Sequence, residues 1–212
     1  ETHKEDILKC PDLQLIADWI PARSRVLDLW CGDGQLLAYL SQHKKVVGYG
    51  VEIDVNNVIR CVSSGINVVQ GDLEAGLSDF QSDAFDVVVL SQTIQAMRHI
   101  EQIMVEMLRV GREAIVSFPN FGYWKNRLQI LQGHMPVSET IPYDWHNTPN
   151  IHLCMLRDFE ALCAKNQIEV KERVVMDGGS RIDFLPNLLG SLAFYRIGRA
   201  VLIGRPCSIG AC

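Results

Sequence analysis

Residues 25–34 read Arg-Val-Leu-Asp-Leu-Trp-Cys-Gly-Asp-Gly, and this stretch decides the fold. Its apolar run at residues 26–29 is typical of a buried strand, and residues 35–40 after the turn are typical of a helix. Gly32 and Gly34 let the backbone come close to a ligand, because glycine has no Cβ. The first turn of a helix also presents free N–H groups. The stretch predicts a strand, a turn and a helix start that together cradle a nucleotide.

Two glycines in a turn also occur at many corners that bind nothing, so the following strands matter. Three further apolar runs end in polar residues: Glu52 closes the second, Asp72 follows the third, and Ser91 follows the fourth. Open α/β sheets bind ligands at the carboxyl edge of their strands. An acidic residue at the end of the second strand is placed to accept hydrogen bonds from ribose hydroxyls. Together these residues favour a nucleotide site over an ordinary corner.

Strands alternate with helices along most of the chain, which predicts an α/β fold with a doubly wound, mainly parallel sheet. The predicted helix at residues 54–63 has Asp54 as a suitable N-cap. A run of apolar residues at helical spacing predicts a core-facing stripe in the helix at residues 99–108. Further helices are predicted at residues 11–20 and 156–165, and further strands at residues 113–117, 168–175 and 192–197, with a glycine-containing turn at residues 176–181.

Length and composition fit one domain spanning residues 1–212, with 48% hydrophobic and 21% charged residues. The net charge of −5 argues against a nucleic-acid partner, because a phosphate backbone needs a basic face. Apolar runs fall short of the roughly 20 residues of a membrane span, and no signal peptide is recognised. The odd count of seven cysteines suggests reduced thiols. We therefore expect a cytoplasmic protein without a membrane partner.

The order of these strands resembles the class I S-adenosylmethionine-dependent methyltransferases over residues 25–117. Their first motif, acidic-x-Gly-x-Gly-x-Gly, stands here as residues 28–34, with Trp30 in place of the first glycine. The resemblance implies a seven-stranded sheet whose last strand is antiparallel. It also implies that S-adenosylmethionine or S-adenosylhomocysteine binds, with affinity reduced by Trp30. The site it implies comprises Asp28, Trp30, Gly32, Gly34, Glu52 (ribose hydroxyls), Asp72 (adenine amino group), Leu73 (adenine ring) and Ser91.

Further along the chain are five long and unusual strings: residues 107–113, 118–124 (Phe-Pro-Asn-Phe-Gly-Tyr-Trp), 135–139, 143–152 (Tyr-Asp-Trp-His-Asn-Thr-Pro-Asn-Ile-His) and 186–190. These strings resemble the MetW family of methionine biosynthesis proteins, and this narrower resemblance covers residues 13–199. MetW-like proteins are associated with a homoserine O-acyltransferase, so the resemblance implies a MetX-like acyltransferase as partner.

The regular pattern fades between residues 118 and 153, a segment with four prolines and many aromatic residues. A structureless stretch of this length is uncommon unless it is functional. It follows the fifth strand, so we expect it to form a lid over the ligand edge or a partner surface, with Trp124 and Trp145 as possible anchors. The alternative is an insertion that packs on itself. The tail at residues 198–212 remains unassigned.

The methyl-acceptor half of a transferase site is not evident, so the catalytic residues are unknown. Residues 91–95 lack the Asn-Pro-Pro-Tyr or Asp-Pro-Pro-Tyr pattern of enzymes that methylate amino groups of bases or glutamine. The spacing of the histidines with Cys154 fits no zinc motif, so no metal site is predicted. Two hypotheses remain: a partner or activator of homoserine O-acyltransferase, and an active methyltransferase for a small molecule. Acid–base candidates in the segment are Tyr143, Asp144, His146 and His152.

Overall fold

The computed structural model of the chain describes residues 10–200. The strands in this range are β1 (Arg25–Leu29), β2 (Val47–Glu52), β3 (Asn67–Gln70), β4 (Phe85–Ser91), β5 (Gly111–Pro119), β6 (Ile168–Asp177), β7 (Ser180–Arg181) and β8 (Leu192–Arg199). The helices are α1 (Pro11–Trp19), α2 (Gln35–Lys44), α3 (Val55–Ser63), α4 (Ile100–Val110), α5 (Trp124–Leu131), α6 (Leu156–Lys165) and α7 (Pro186–Leu189). Short 3₁₀ turns lie at Leu73–Ala75 and Ile94–Ala96.

The strands form one sheet in the order β3-β2-β1-β4-β5-β8-β6-β7. The first five strands are mutually parallel, and β8 runs antiparallel to both β5 and β6. The predicted α/β fold is confirmed, with its mainly parallel sheet and antiparallel last strand. In this register Asp28 lies opposite Gly50 of β2 and Val89 of β4. The carboxyl ends of β1, β2 and β4 therefore meet at one edge, where the candidate residues follow.

The sheet has one strand more than predicted in the described range, because residues 180 and 181 pair back onto β6. Gly178 and Gly179 take positive φ angles of +52° and +80° and make the reversal tight. Glycine adopts these angles without the steric cost of a Cβ. The sequence indicated a turn here, and a two-residue strand is too short to show a period-2 pattern.

Two apolar layers cover the two faces of the sheet. On one face Leu27 and Leu29 of β1 pack with residues of α4 and α6, among them Met107 and Phe159. On the other face Val26 packs with residues of α1 and α2. Alternation of side chains along a strand explains why neighbours in β1 belong to different layers. The stripe predicted for the fourth helix is core packing: Ile103, Met104, Met107 and Leu108 are buried, and Ile100 packs against them.

The segment at residues 118–153 is more regular than the sequence indicated. Its first two residues complete β5, and α5 follows at Trp124–Leu131. The fading pattern has a physical reason, since Leu128, Ile130 and Leu131 of α5 are exposed and form no buried stripe. From the tail, Gly198 and Arg199 end β8, while residues 201–212 lie outside the described residues. No helix within residues 10–200 is long and apolar enough to span a bilayer.

Candidate functional site

The turn after β1 is held against the end of β2 by its backbone. The N–H groups of Trp30 and Cys31 both donate to the Val51 carbonyl oxygen, at 2.8 and 3.2 Å. Three residues of the turn are left-handed, with φ of +65° at Trp30, +58° at Gly32 and +80° at Gly34. The two glycines adopt this conformation freely, whereas a residue with a Cβ costs about 1–2 kcal/mol. Trp30 therefore stores strain at the point where the sequence motif departs from glycine.

Glu52, at the end of β2, binds the protein's own backbone. Its carboxylate accepts from the N–H of Gly32 at 2.8 Å through Oε2, and from the N–H groups of Ile53 and Asp54 at 2.9 Å each through Oε1. The residue is 1% exposed. Both oxygens are thus engaged, and the carboxylate joins the glycine turn to the start of the connection toward α3.

Asp28 lies beneath the turn and is 5% exposed. Burial, and secondly the negative charge of Glu52, raise the pKa of the Asp28 carboxyl to about 7. Removal from water disfavours the charged form, and a neighbouring like charge adds to the effect. A positively charged group that entered beside Asp28 would favour the carboxylate again. The corner is therefore electrostatically suited to a cationic ligand group such as a sulfonium or an ammonium.

A small hollow opens where the turn, β2 and the residues after β3 meet. Its lining includes Trp30, Glu52, Asp72 and Leu73, and its cavity volume is only about 10 Å³. Pockets that enclose a drug-sized ligand have roughly 300–1,000 Å³. Trp30, which is 39% exposed, forms part of the wall of this hollow. Asp72 is exposed, and its Oδ1 accepts from the Glu74 N–H at 2.9 Å, which caps the 3₁₀ turn.

Two thiols pack behind the glycine turn. The Sγ atoms of Cys31 and Cys61 are 3.9 Å apart, and the Cys61 thiol donates to the Gly32 carbonyl oxygen at 3.3 Å. A Cβ at Gly34 would lie 2.9 Å from the Cys61 Sγ, so this glycine is required by space as well as by its φ. Burial, followed by nearby negative charge from Asp28, raises the pKa of Cys31. The pair therefore acts as apolar packing, since a raised pKa suppresses the reactive thiolate.

Comparison with known proteins places the chain in a family. A family model described as "Methionine biosynthesis protein MetW" matches residues 10–197. The chain belongs to the MetW family. A relative from Rhodopirellula baltica, "Bifunctional methionine biosynthesis protein MetXA/MetW", is 38% identical over 94% of this chain. The MetW-family chain spans 35% of the length of that relative.

Several solved structures with the same fold are methyltransferases by title, and another is a [4+2]-cyclase. One from Thermotoga maritima, a possible histamine N-methyltransferase, has a TM-score of 0.63 and 17% identity over 89% of this chain and 88% of that one. An S-adenosylmethionine-dependent methyltransferase from Mesorhizobium loti has a TM-score of 0.65 and 14% identity over 89% of this chain and 96% of that one. At these identities the likeness establishes that the MetW-family chain has the methyltransferase fold.

The structure brings most of the predicted cofactor residues together. Trp30, Glu52, Asp72 and Leu73 line the same hollow, Gly32 is joined to Glu52, and Asp28 lies below them. Gly34 stands further back, as the left-handed N-cap of α2. Ser91 does not line the hollow, and its hydroxyl lies 3.0 Å from the buried Ser117 hydroxyl.

The acid–base candidates of this MetW-family chain do not converge on that hollow. Tyr143, Asp144, His146 and His152 are all exposed, and none of them lines it. The His152 backbone N–H donates to the Gln95 carbonyl oxygen at 2.9 Å, which ties the end of the segment to the turn after β4. Among residues 10–200 there is no group of three histidine, cysteine, aspartate or glutamate side chains arranged to hold a metal ion.

Sequence reasoning missed a buried amide at the end of β5. Asn120 is 0% exposed; its Nδ2 donates to the carbonyl oxygens of Asn187 and Gly190 at 3.1 and 2.8 Å, and its Oδ1 accepts from the Gly122 N–H at 3.0 Å. The residue therefore fixes where the segment at 118–153 leaves the sheet. Within the string Phe-Pro-Asn-Phe-Gly, an asparagine directly after a strand was the available signal.

Proposed function

We propose that this chain is a partner or activator of a homoserine O-acyltransferase, built on a methyltransferase fold and able to bind S-adenosylmethionine or S-adenosylhomocysteine. The observation that carries the proposal is the Rhodopirellula relative, whose printed name joins MetXA and MetW in one bifunctional methionine biosynthesis protein. This chain matches only about a third of it. Covalent joining raises the effective concentration of two modules, so it is favourable where their association is useful.

The cofactor part of the proposal is supported by the corner after β1. The glycine turn, the buried Asp28 and the hollow beside Asp72 and Leu73 lie at the carboxyl edge of parallel strands, where this class of sheet binds ligands. The Glu52 carboxylate can accept hydrogen bonds from ribose hydroxyls only if it gives up some of its present hydrogen bonds from backbone N–H groups. Trp30 reduces the space that remains. We therefore expect weak cofactor binding, with the nucleoside portion at Asp72.

The acyltransferase surface is proposed to lie on the segment at 118–153, which serves as a lid or a partner surface. Trp145 is 74% exposed, Trp124 42% and Leu131 84%. Exposed aromatic and apolar side chains in one segment are typical of protein–protein interfaces, and tryptophan is the residue type most often dominant there. Since neither tryptophan is buried in the domain's own core, both are available to a partner.

The experiment is a pull-down of the homoserine O-acyltransferase from the same organism with wild-type and Trp145→Ala chains. We expect wild type to retain the acyltransferase and the variant to lose at least about 2 kcal/mol of affinity, or roughly 30-fold, as is typical of a hot spot. Phe184→Ala is the matched control, because Phe184 is 73% exposed but lies outside the segment. If the Trp145→Ala chain retains as much acyltransferase as wild type, Trp145 does not contribute to the interface. If wild type does not bind the acyltransferase, the partner role is rejected.

A second candidate function is methyl transfer to a small molecule. The cofactor corner favours it, because Asp28, Gly32 and Gly34 match the first motif of the methyltransferases that this sequence resembles. Incubation with methyl-labelled S-adenosylmethionine and a cytoplasmic extract tests it. Labelled small-molecule product that depends on Asp28 would support the transferase, and label that stays in the donor would favour the partner role alone.

A further inference from the structure

Two adjoining cavities lie beyond the end of β5, apart from the hollow at the glycine turn. One has a cavity volume of about 190 Å³ and the other about 210 Å³, and both are open to solvent. Glu139, Thr140 and Ser191 line both of them, so they form one divided space that we call the β5 cavity. Its size is in the range of pockets that take small ligands.

The wall of the β5 cavity is fixed by hydrogen bonds. Gln129 of α5 bonds the Val137 backbone in both directions, with Nε2 donating to the carbonyl oxygen at 3.1 Å and Oε1 accepting from the N–H at 3.0 Å. Ser138 and Ile141 exchange backbone hydrogen bonds of 2.9 and 3.1 Å across the residues that carry Glu139 and Thr140. The cavity is therefore built from held backbone, which lowers the entropic cost of binding a ligand.

A buried serine borders both halves of the cavity, and its hydroxyl makes one long hydrogen bond. Ser191 is 8% exposed, and its Oγ lies 3.4 Å from the Met176 carbonyl oxygen. Hydroxyl donors in proteins lie about 2.5–3.0 Å from their acceptors. The hydroxyl oxygen also carries acceptor lone pairs, so it can accept a hydrogen bond from a donor on a ligand in the cavity.

The charge around the β5 cavity is mainly negative. Asp12, Glu139 and Asp177 line it, against one cationic side chain, Lys125. The hydroxyl of the buried Tyr123 donates to the Asp177 Oδ2 at 3.1 Å, and both residues line the cavity. Burial, and secondly Asp177, raise the pKa of Tyr123, so the phenol stays a donor at neutral pH. Three carboxylates around a partly enclosed space favour a cation.

We infer that the β5 cavity binds a small molecule that carries a protonated amine. Glu139 and Asp177 accept hydrogen bonds from the ammonium group, and the Ser191 hydroxyl meets a polar atom further in. The cavity also borders the ligand edge of the sheet, because the Gln92 Nε2, directly after β4, donates to the Asp12 Oδ2 at 2.9 Å. This assignment does not depend on the acyltransferase role, since an amine site serves a sensor and a transferase equally.

The test uses three probes that differ in one group each: L-methionine, its analogue without the amine (4-methylthiobutanoate), and its analogue without the carboxylate (3-methylthiopropylamine). Binding to the purified chain is measured by calorimetry near pH 7. We expect both amine probes to bind and the amine-free acid to bind at least about tenfold more weakly, because a hydrogen-bonded charge is lost. Equal binding of the acid, or no binding of either amine, overturns the inference.

Two variants then locate the amine. Glu139→Gln and Asp177→Asn should each weaken amine binding about tenfold, and both keep a hydrogen-bonding side chain of the same shape. Asp79→Asn is the matched control, since it makes the same charge change at an exposed residue in the connection from β3 to β4. If Glu139→Gln does not change amine binding, the amine binds elsewhere, for example at the glycine turn. This result also overturns the assignment. Glu139 is exposed, so its variant tests the site without risk to the fold.

Discussion

The corner after β1 and the β5 cavity lie at the same edge of one sheet. The polar groups of the corner are bonded within the protein, whereas those of the cavity border open space. In the corner, the Glu52 carboxylate accepts from three backbone N–H groups, Asp72 caps a 3₁₀ turn, and Trp30 lines the small hollow. In the β5 cavity, Glu139 and Ser191 face open volume. The most recognisable motif in a sequence can thus mark a corner whose polar groups form hydrogen bonds with the protein's own backbone. The larger open space is elsewhere.

The sharpest test of this contrast is removal of the Glu52 carboxylate. Glu52→Ala leaves three backbone donors without their acceptor, at roughly 1–3 kcal/mol each. We expect the free energy of unfolding to fall by at least about 3 kcal/mol, measured by urea denaturation. Glu52→Gln keeps one acceptor oxygen and should lose roughly half as much. A loss below about 1 kcal/mol would mean that the carboxylate is free for a ligand, and the corner would then resemble the cavity.

The buried Asp28 predicts a pH dependence of stability. The folded chain keeps this carboxyl protonated up to about pH 7, whereas a reference aspartate releases its proton near 3.8. Between these values the folded state binds more protons than the unfolded state, so its free energy of unfolding falls as the pH rises. At 1.36 kcal/mol per pKa unit, the fall approaches about 4 kcal/mol. Urea denaturation at pH 5 and pH 8 should show this slope in wild type relative to Asp28→Asn; parallel behaviour of the two contradicts the prediction.

Replacement of the strained tryptophan should open the corner. Trp30→Gly removes an indole from the hollow and a Cβ from a left-handed position, so S-adenosylhomocysteine should bind about tenfold more tightly, within the roughly 1–3 kcal/mol expected for relief of over-packing. Titration calorimetry on both forms measures it, and association with the acyltransferase should not change. If the two forms bind with equal affinity, the indole does not obstruct the site, and the case for an active methyltransferase becomes stronger.

The smallest effect is expected at Asp72. Asparagine also caps helical turns, so Asp72→Asn should change the free energy of unfolding by less than about 0.5 kcal/mol. If the carboxylate meets the adenine amino group, S-adenosylhomocysteine should bind roughly threefold to tenfold more weakly, because a charged acceptor is replaced by a neutral one. If Asp72→Asn leaves the affinity for S-adenosylhomocysteine unchanged in the Trp30→Gly background, where the site is open, Asp72 does not contact the nucleoside.

The parallel half of the fold was predictable because its signals are local. The apolar run of β1 is buried on both faces, and Asp54 caps α3 as expected, its Oδ1 accepting from the N–H groups of Asn56 and Asn57 at 2.7 and 3.2 Å. The helix predicted at residues 156–165 coincides with α6. In contrast, α5 has no side-chain cap and no buried apolar stripe, so nothing in its sequence marks it.

The candidate site was only partly predictable, because the sequence does not show which groups the site residues form hydrogen bonds with. The position of Glu52 follows from the strand pattern, but its hydrogen bonds go to backbone N–H groups, which every residue except proline offers. The β5 cavity takes its polar groups from four distant places, residues 12, 139, 177 and 191. No local spacing relates such residues, and only the sheet order brings them together.

The position of β8 has a consequence for synthesis of the chain. This strand contains the last residues of the described sheet, yet it lies between β5 and β6 and pairs with both. Until residue 199 has left the ribosome, β5 and β6 have no partner on those edges, and unpaired edges invite association with other chains. Ser191, at the entry to β8, also reaches its place only then. The parallel half can therefore assemble during translation, whereas the β5 cavity forms in the final step.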